Sequence, residues 1–357
     1  MEYVKNLTGG GGTGSAPSEH PKLRVVELCS GIGCQKRGID NTGLFDVEVV
    51  ATSEIDRHAV VAYAALHHGL TLDMVDQYEY PDLDEMRNFL TEKNIGYDPV
   101  KKVKYDWSKG GKKFITEIKK TWLACQLGRN LGDMSQIERL PEADVWFTST
   151  PCSDLSIAGK LKGLNPDDET RSSLIWQNIR LLRAAQDGNA LPKYIFLENV
   201  KNLVGKKFIG DFEMFNSLIE EFGYNTYWKV INGKDCGVPQ NRERVFAIYV
   251  RKDIDTGNFT FPIPFDNGLR LKDVLEDKVD EKYYINTPKA QELIKNLLDT
   301  GVIGNNDLDR QTDRQTIDLS INKSKHIGYA RCLSARNDRS VSNREAEGSG
   351  ICELQQN

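Results

Sequence analysis

Val145-Trp146-Phe147-Thr148-Ser149-Thr150-Pro151-Cys152 is an apolar run that ends in a constrained turn. It reads as a strand finishing at a site. A Pro-Cys pair at a strand's carboxyl end puts a thiol beside the crevice where open α/β sheets bind ligands. A thiol there can attack a carbon, provided that something positions the electrophile. Working outward, Leu23–Leu28 and Val47–Thr52 read as earlier strands, and Ala59–His68 as a helix. Later come a helix over Leu174–Ala185, a strand over Tyr194–Leu197 and a helix over Phe212–Phe222. Tyr224–Val230 and Val245–Val250 read as late strands. This alternation predicts an α/β fold, a mostly parallel sheet with helices on both faces.

The 357 residues allow one large domain and a smaller one, and a hydrophobic content of 39% with 28% charged is ordinary for a globular chain. Residues 1–22, with Gly9–Gly12, read as a flexible leader. Residues 23–250 form the main domain, interrupted at about 70–130 by a long charged insert that is helical in pattern over Asp84–Lys93 and Lys112–Gly128. From Arg251 the pattern breaks up, and Pro262, Pro264 and Gly268 mark a linker into 251–357. Seven scattered cysteines without CxxC spacing suggest neither a metal site nor a disulfide framework. Free thiols fit a reducing, cytoplasmic setting. No apolar run reaches membrane-spanning length and no signal peptide is visible, so no membrane partner is expected. A net charge of −5 argues against a non-specific nucleic-acid binder, although residues 310–344 are locally basic.

Four further features carry chemistry. The turn Ser30-Gly31-Ile32-Gly33 after the first strand lets backbone approach a ligand closely. Glu54 at the end of the second strand is placed for a ribose hydroxyl; in isolation it is an ordinary helix-start charge. Glu198 follows the apolar run Tyr194-Ile195-Phe196-Leu197 and is placed as an acid. Arg242 and Arg244 alternate along an extended segment and so share a face. Each alone reads as a surface charge that contributes little; their joint occurrence in this order does not.

Taken in order, Glu27-Leu28-Cys29-Ser30-Gly31-Ile32-Gly33, Pro151-Cys152, Glu198-Asn199-Val200 and Gln240-Asn241-Arg242-Glu243-Arg244 resemble the cytosine-C5 DNA methyltransferase family over about residues 23–250. The resemblance implies a Rossmann-like fold and S-adenosylmethionine as cofactor. It implies Cys29, Ser30, Gly31, Ile32 and Gly33 around the methionine portion and Glu54 on the ribose. Ile55 would lie against the adenine, and Asp133, with Met134 beside it, would meet the adenine amine. Pro151 and Leu174 would line the pocket. Cys152 would add to C6 of a cytosine turned out of double-stranded DNA, since C5 alone is too weak a nucleophile. Glu198 would serve N3, one arginine the cytosine carbonyl and the other a phosphate. Ser156, Lys160, Arg171, Asn199 and Gln240 would lie on the DNA side, Asn199 also orienting the loop. The implied protein is a modification enzyme of a bacterium or phage. Its rivals are a tRNA cytosine-5 methyltransferase and an inactive or half-enzyme DNA-binding chain.

The chain departs from the family in places. Cys29 stands where an aromatic is frequent, Ser153 where an amide is usual, and Ser172 where a glycine is frequent. Ala330–Arg336 resembles a segment just before the family's closing motifs, but no closing motif is visible in 251–357, which reads as a smaller, incomplete target-recognition region. A truncated product, half of a split enzyme and a divergent member are the three readings. The first two expect a second polypeptide that supplies the closing motifs. They also expect Leu23, Val25, Val26, Leu28, Val47, Val49 and Val50 to lack part of their cover.

Overall fold

The computed structural model describes residues 20–98, 103–151 and 171–274, and after them only short stretches, among them 316–318, 330–331 and 351–353. Cys152, Ser156, Lys160, the leader 1–19 and nearly all of the basic run 310–344 lie outside the described residues, as does the side chain of Arg171. The chain packs as two compact units, one of residues 1–229 and 245–259, the other of 230–244 and 260–357.

In chain order the elements are β1 (Lys22–Leu28), α1 (Cys34–Asp40), β2 (Asp46–Ser53), α2 (Arg57–His68), α3 (Leu72–Gln77), α4 (Leu83–Glu92) and α5 (Lys112–Leu127). Then come β3 (Val145–Thr148), α6 (Gln177–Asp187), β4 (Tyr194–Val200), α7 (Ile209–Glu221), β5 (Tyr224–Asn232), β6 (Gln240–Asn241) and β7 (Glu243–Arg251). A six-stranded sheet runs β2-β1-β3-β4-β7-β5. β2, β1, β3 and β4 are parallel. The Arg251 amide donates to the Lys193 carbonyl at 3.0 Å and the Lys252 amide to the Gly223 carbonyl at 2.8 Å. The end of β7 therefore meets the starts of β4 and β5, and β7 runs against both. The mostly parallel α/β sheet expected from the alternation is present. In the second unit, β6 pairs in parallel with residues 330–331, and 316–318 pairs antiparallel with 351–353.

Local chemistry explains most helix starts. Asp56 caps α2 by accepting from the amides of His58 and Ala59, Thr71 caps α3, and Asp82 caps α4. α1 has no capping side chain of its own; it starts from Gly33 in a left-handed conformation (φ 80°). Glu27 of β1 substitutes for the cap. One of its oxygens accepts from the Lys36 amide at 2.9 Å and the other from the Tyr63 hydroxyl of α2 at 2.6 Å. Glu27 is fully buried, and burial raises its pKa above 4.5 against the lowering pull of those two bonds.

The insert at 70–130 has a core of its own. Met86, Leu90, Ile95, Trp107, Ile118 and Trp122 are buried together with Val60 and Ala64 of α2. Full burial of one such side chain stabilises by about 1.5–3 kcal/mol.

The expected gap in the cover of the first strand is corrected. Val25, Val26 and Leu28 are at most 1% exposed, because β1 lies between β2 and β3 and is covered from both faces. Leu23, Val47, Val49 and Val50, nearer the strand starts, are half-buried.

Tyr63→Phe removes a bond that favours the ionised form of Glu27. A carboxyl whose pKa is raised on folding binds a proton as the chain folds. Its stabilising share is complete below 4.5 and is lost as pH rises through the folded value. The substitution should therefore cost little at pH near 4 and about 1–3 kcal/mol at neutral pH. Urea unfolding at both pH values checks this; an equal cost at the two would show that Glu27 does not titrate.

Candidate active site

The register of the parallel strands sets the site. Leu28 of β1 pairs with Ser53 of β2 on one side and with Thr148 of β3 on the other, and Thr148 pairs with Leu197 of β4. β2, β1 and β3 thus end side by side, and β4 runs on past them to Val200. At these ends lie Cys29–Gly33, Glu54–Ile55, Ser149–Pro151 and, within β4, Glu198–Asn199. The connections leave β1 toward β2 and β3 toward β4, in opposite directions, so the crevice between them is the switch point at which open sheets bind ligands.

The two turn glycines do different things. Gly33 (φ 80°) is pressed against α2: a Cβ there would lie 2.3 Å from His67 Nε2 and 2.6 Å from Tyr63. Gly31 (φ 55°) has nothing within 4 Å of where a Cβ would point. The first glycine lets the helix close on the turn, and the second leaves open space beside the backbone. Cys29 is also left-handed (φ 54°). Its thiol is pushed far up by burial, with the Glu54 and Asp133 carboxylates adding to the effect, so it stays protonated. Ser30 is buried and Ile32 is exposed.

Glu54 closes the turn. Its Oε2 accepts from the Gly31 amide at 2.9 Å, and its Oε1 accepts from the amides of Ile55 and Asp56 at 2.8 Å. Burial raises its pKa against these three bonds. Asn130 locks the same corner, accepting from the Glu54 and Gly132 amides and donating to the Glu54 carbonyl. Ser53 Oγ donates to the Gly132 carbonyl at 2.6 Å. Asp133 then caps a short turn over Met134–Gln136, and Arg180 of α6 holds that turn through the carbonyls of Met134 and Ile137. Met134 is buried.

On the other side, Asn199 is 3% exposed. Its Nδ2 donates to the Thr150 carbonyl at 3.2 Å and its Oδ1 accepts from the Val200 amide at 2.9 Å. It braces the exit of β3 against β4. Pro151, Leu174 and Glu198 are half-buried.

Gln240, Arg242 and Arg244 belong to the second unit. There the Arg242 amide donates to Asn232 Oδ1 at 3.0 Å, and Arg244 donates to the Glu243 carbonyl at 2.7 Å. The structure thus gathers Cys29–Gly33, Glu54, Ile55, Asp133, Met134, Pro151, Glu198 and Asn199 at one end of one sheet. Glu27, Tyr63, Asn130 and Arg180 were not singled out from the sequence. Asn130 shares the stretch Asn130-Leu131-Gly132-Asp133 with a residue that was, which is the one signal that pointed to it.

A mostly parallel sheet with a left-handed glycine turn after β1 and an acid after β2 is a Rossmann-like fold. Among solved structures, a methyltransferase of Entamoeba histolytica shares this fold with a TM-score of 0.51 at 14% identity, over 92% of this chain and 75% of that one. The model of the C-5 cytosine-specific DNA methylase family matches residues 102–351. A type II methyltransferase of Lactococcus lactis subsp. cremoris is 37% identical over 265 residues, 74% of this chain and 70% of that protein. An orphan methyltransferase of Bacillus phage SPR is 29% identical over 306 residues, 77% of this chain and 55% of that protein. The chain belongs to the C-5 cytosine-specific DNA methylase family. The matched region reaches beyond residue 250, where the resemblance read from the sequence fades, and no comparison supports a second polypeptide. Among the described residues no helix is long and apolar enough to cross a membrane.

Glu54→Gln tests the corner. An amide offers one acceptor oxygen, and its Nε2 would face a backbone N–H that Glu54 now satisfies. Removal of the buried charge should therefore destabilise the fold, by about 1–3 kcal/mol at neutral pH. A thermal melt checks this; a rise in Tm would show that the three backbone donors do not depend on the carboxylate.

Proposed function

We propose that this chain binds S-adenosylmethionine over the loops after β1 and β2 and methylates C5 of a cytosine turned out of double-stranded DNA, in the reducing cytoplasm of a bacterium or in a phage-infected cell. The observation that carries the reading is the alignment of Ser53, Leu28, Thr148 and Leu197 in one register. It puts the cofactor-type residues and Pro151, the residue before Cys152, at the same strand ends.

The residues present fit that cofactor. The open space beside Gly31 admits a ligand against bare backbone. Glu54 has two carboxylate oxygens with about four acceptor positions, of which three are used, so one remains for a ribose hydroxyl. Ile55 offers an apolar face to the adenine, and Asp133 an acceptor for its amine. Pro151 and Leu174 complete the wall. The bound cofactor supplies a methyl group made electrophilic by its sulfonium.

The chain's own residues prepare the base. Cys152, as thiolate, forms a bond to C6, and the electron pair of the C5–C6 double bond makes C5 nucleophilic. Glu198 holds a proton at N3, which draws electrons from the ring and favours attack at C6. Asn199 keeps the exits of β3 and β4 in step. Once C5 carries the methyl group, a water molecule takes the C5 proton, the electron pair of that C–H bond re-forms the C5–C6 double bond, and Cys152 leaves as thiolate. Arg242 and Arg244 serve the cytosine carbonyl and a phosphate, with Ser156, Lys160, Arg171 and Gln240 on the DNA backbone. The raised pKa of Cys29 keeps that thiol out of the reaction. The rival tRNA reading has no comparable support, since the matched family is one of DNA methylases.

DNA carrying 5-fluorocytosine should trap the wild-type chain covalently, because fluorine cannot leave as the C5 proton does. Cys152→Ala should abolish both trapping and methylation while cofactor affinity stays within a few-fold. Equal trapping by the alanine variant on a denaturing gel would remove Cys152 from the mechanism. Glu198→Gln keeps a hydrogen-bonding group without the titratable proton, and turnover should fall by on the order of 10²–10⁴-fold with little change in DNA affinity. Steady-state kinetics decide it: turnover retained to within about threefold would make Glu198 a structural residue only.

A further inference from the structure

Besides Asn130 at its end, the insert at 70–130 reaches the cofactor corner at the turn that follows α4. α4 ends at Glu92, and residues 93–96 fold beneath the segments that follow β2 and precede β3. The Asp133 amide donates to the Lys93 carbonyl at 3.1 Å, and the Gly96 amide donates to the Ile55 carbonyl at 2.6 Å. Contact is close enough that a Cβ on Gly132 would lie 2.3 Å from the Lys93 oxygen. The turn therefore holds both residues assigned to the adenine ring, Ile55 and Asp133.

Asn94 sits at the middle of this turn in the left-handed conformation (φ 54°). It is 8% exposed. Its Nδ2 donates to Asp133 Oδ2 at 2.9 Å. A carboxylate only accepts, so the nitrogen of the amide must be the atom that faces it. The amide oxygen is thereby fixed on the other side of the group, and that Oδ1 is buried with no hydrogen-bond partner. The other Asp133 oxygen already accepts from the amide and hydroxyl of Ser135. Buried polar atoms in folded proteins are nearly always paired, and each exception calls for an explanation. Here two acceptors, Asp133 Oδ2 and Asn94 Oδ1, belong to one hydrogen-bonded pair of side chains. A donor from outside the chain with two N–H bonds on one nitrogen would satisfy both.

We propose that Asn94, supplied by the insert, is a specificity-determining residue for the 6-amino group of the cofactor's adenine, which it receives jointly with Asp133. The proposal rests on the reading that the adenine lies at Ile55 and Asp133. It gives the insert a role: its aromatic core, with Trp107 and Trp122 buried, keeps the turn at 93–96 rigid under the adenine. It also states a preference. A purine with an oxygen at position 6 would bring an acceptor toward two acceptors and be rejected.

Calorimetry on the full chain tests this with two ligands, S-adenosylhomocysteine and its S-inosyl counterpart, in which a 6-oxo group replaces the 6-amine. Asn94→Gly is the main variant, since glycine accepts the left-handed backbone without strain. Asn94→Ser is the second, read the same way if the first does not fold, with thermal melts as the check on folding. Asn94→Gly should weaken S-adenosylhomocysteine about tenfold, the worth of one hydrogen bond. It should bind the S-inosyl ligand more tightly than the wild type does, since one of the two acceptors that reject the 6-oxo group is gone. An unchanged affinity for S-adenosylhomocysteine, or equal weakening of both ligands, would overturn the proposal and leave Asn94 a structural brace. Asp133→Ala separates the two levels. If the wild type binds and Asp133→Ala weakens S-adenosylhomocysteine while Asn94→Gly does not, only the role of Asn94 falls. If the wild type does not bind, or Asp133→Ala binds as well as wild type, the adenine reading falls and the proposal falls with it.

Discussion

One buried carboxylate ties the cofactor end of the sheet together. Glu27 leaves β1 with one oxygen on the first turn of α1 and the other on Tyr63 of α2. A charge without water at this depth is costly unless it is hydrogen-bonded. The two helices are therefore held where their donors reach it. With α2 held so close, the residue at position 33 has no room for a side chain, and its left-handed backbone also calls for glycine. The glycine turn is thus a consequence of helix placement as much as of ligand approach. Only Gly31, with open space beside it, is left for the ligand.

From that corner the site extends across the sheet by register. Glu54 and Asn130 fix the exit of β2, and Asn199 ties the exit of β3 to that of β4. Each bracing group is buried or half-buried, and each spends its hydrogen bonds on backbone. Such braces keep the loops that carry the chemistry at fixed spacing, which a covalent step on a base and a transfer from a second ligand both require. Glu198, within β4, and Pro151, which follows β3, thus lie on adjacent strands.

Much of this was legible in the sequence. Strands with apolar residues on both faces announce themselves as runs: Val145–Thr148 was read nearly to its end, and Tyr194–Val200 was read over Tyr194–Leu197, short of the polar pair Glu198-Asn199. The motifs beyond them were legible because chemistry fixes their residue types. α1 and α3 were not read. They have seven and six residues, too few for a helical period to show, and α1 takes its cap from a residue in another element. The role of the insert was hidden for a similar reason. Asn94 in sequence is one polar residue after a helix, and its meaning comes from Asp133, 39 positions away. Cover of β1 was misjudged because part of it comes from elements distant in sequence: Val25 packs with Val145 and Phe147 of β3, about 120 positions on. Cys152 was proposed from its place after Pro151 and from the resemblance, and it lies outside the described residues.

The central claim is that the strand-end crevice delivers a methyl group to carbon 5 of cytosine in DNA. Incubation of the full chain with cofactor carrying a labelled methyl group, in parallel with double-stranded DNA and with tRNA, tests it most directly. The nucleosides are then separated after digestion. The account predicts label in 5-methylcytosine from DNA and none from tRNA. Label in tRNA alone, or on any position of DNA other than cytosine C5, would contradict it.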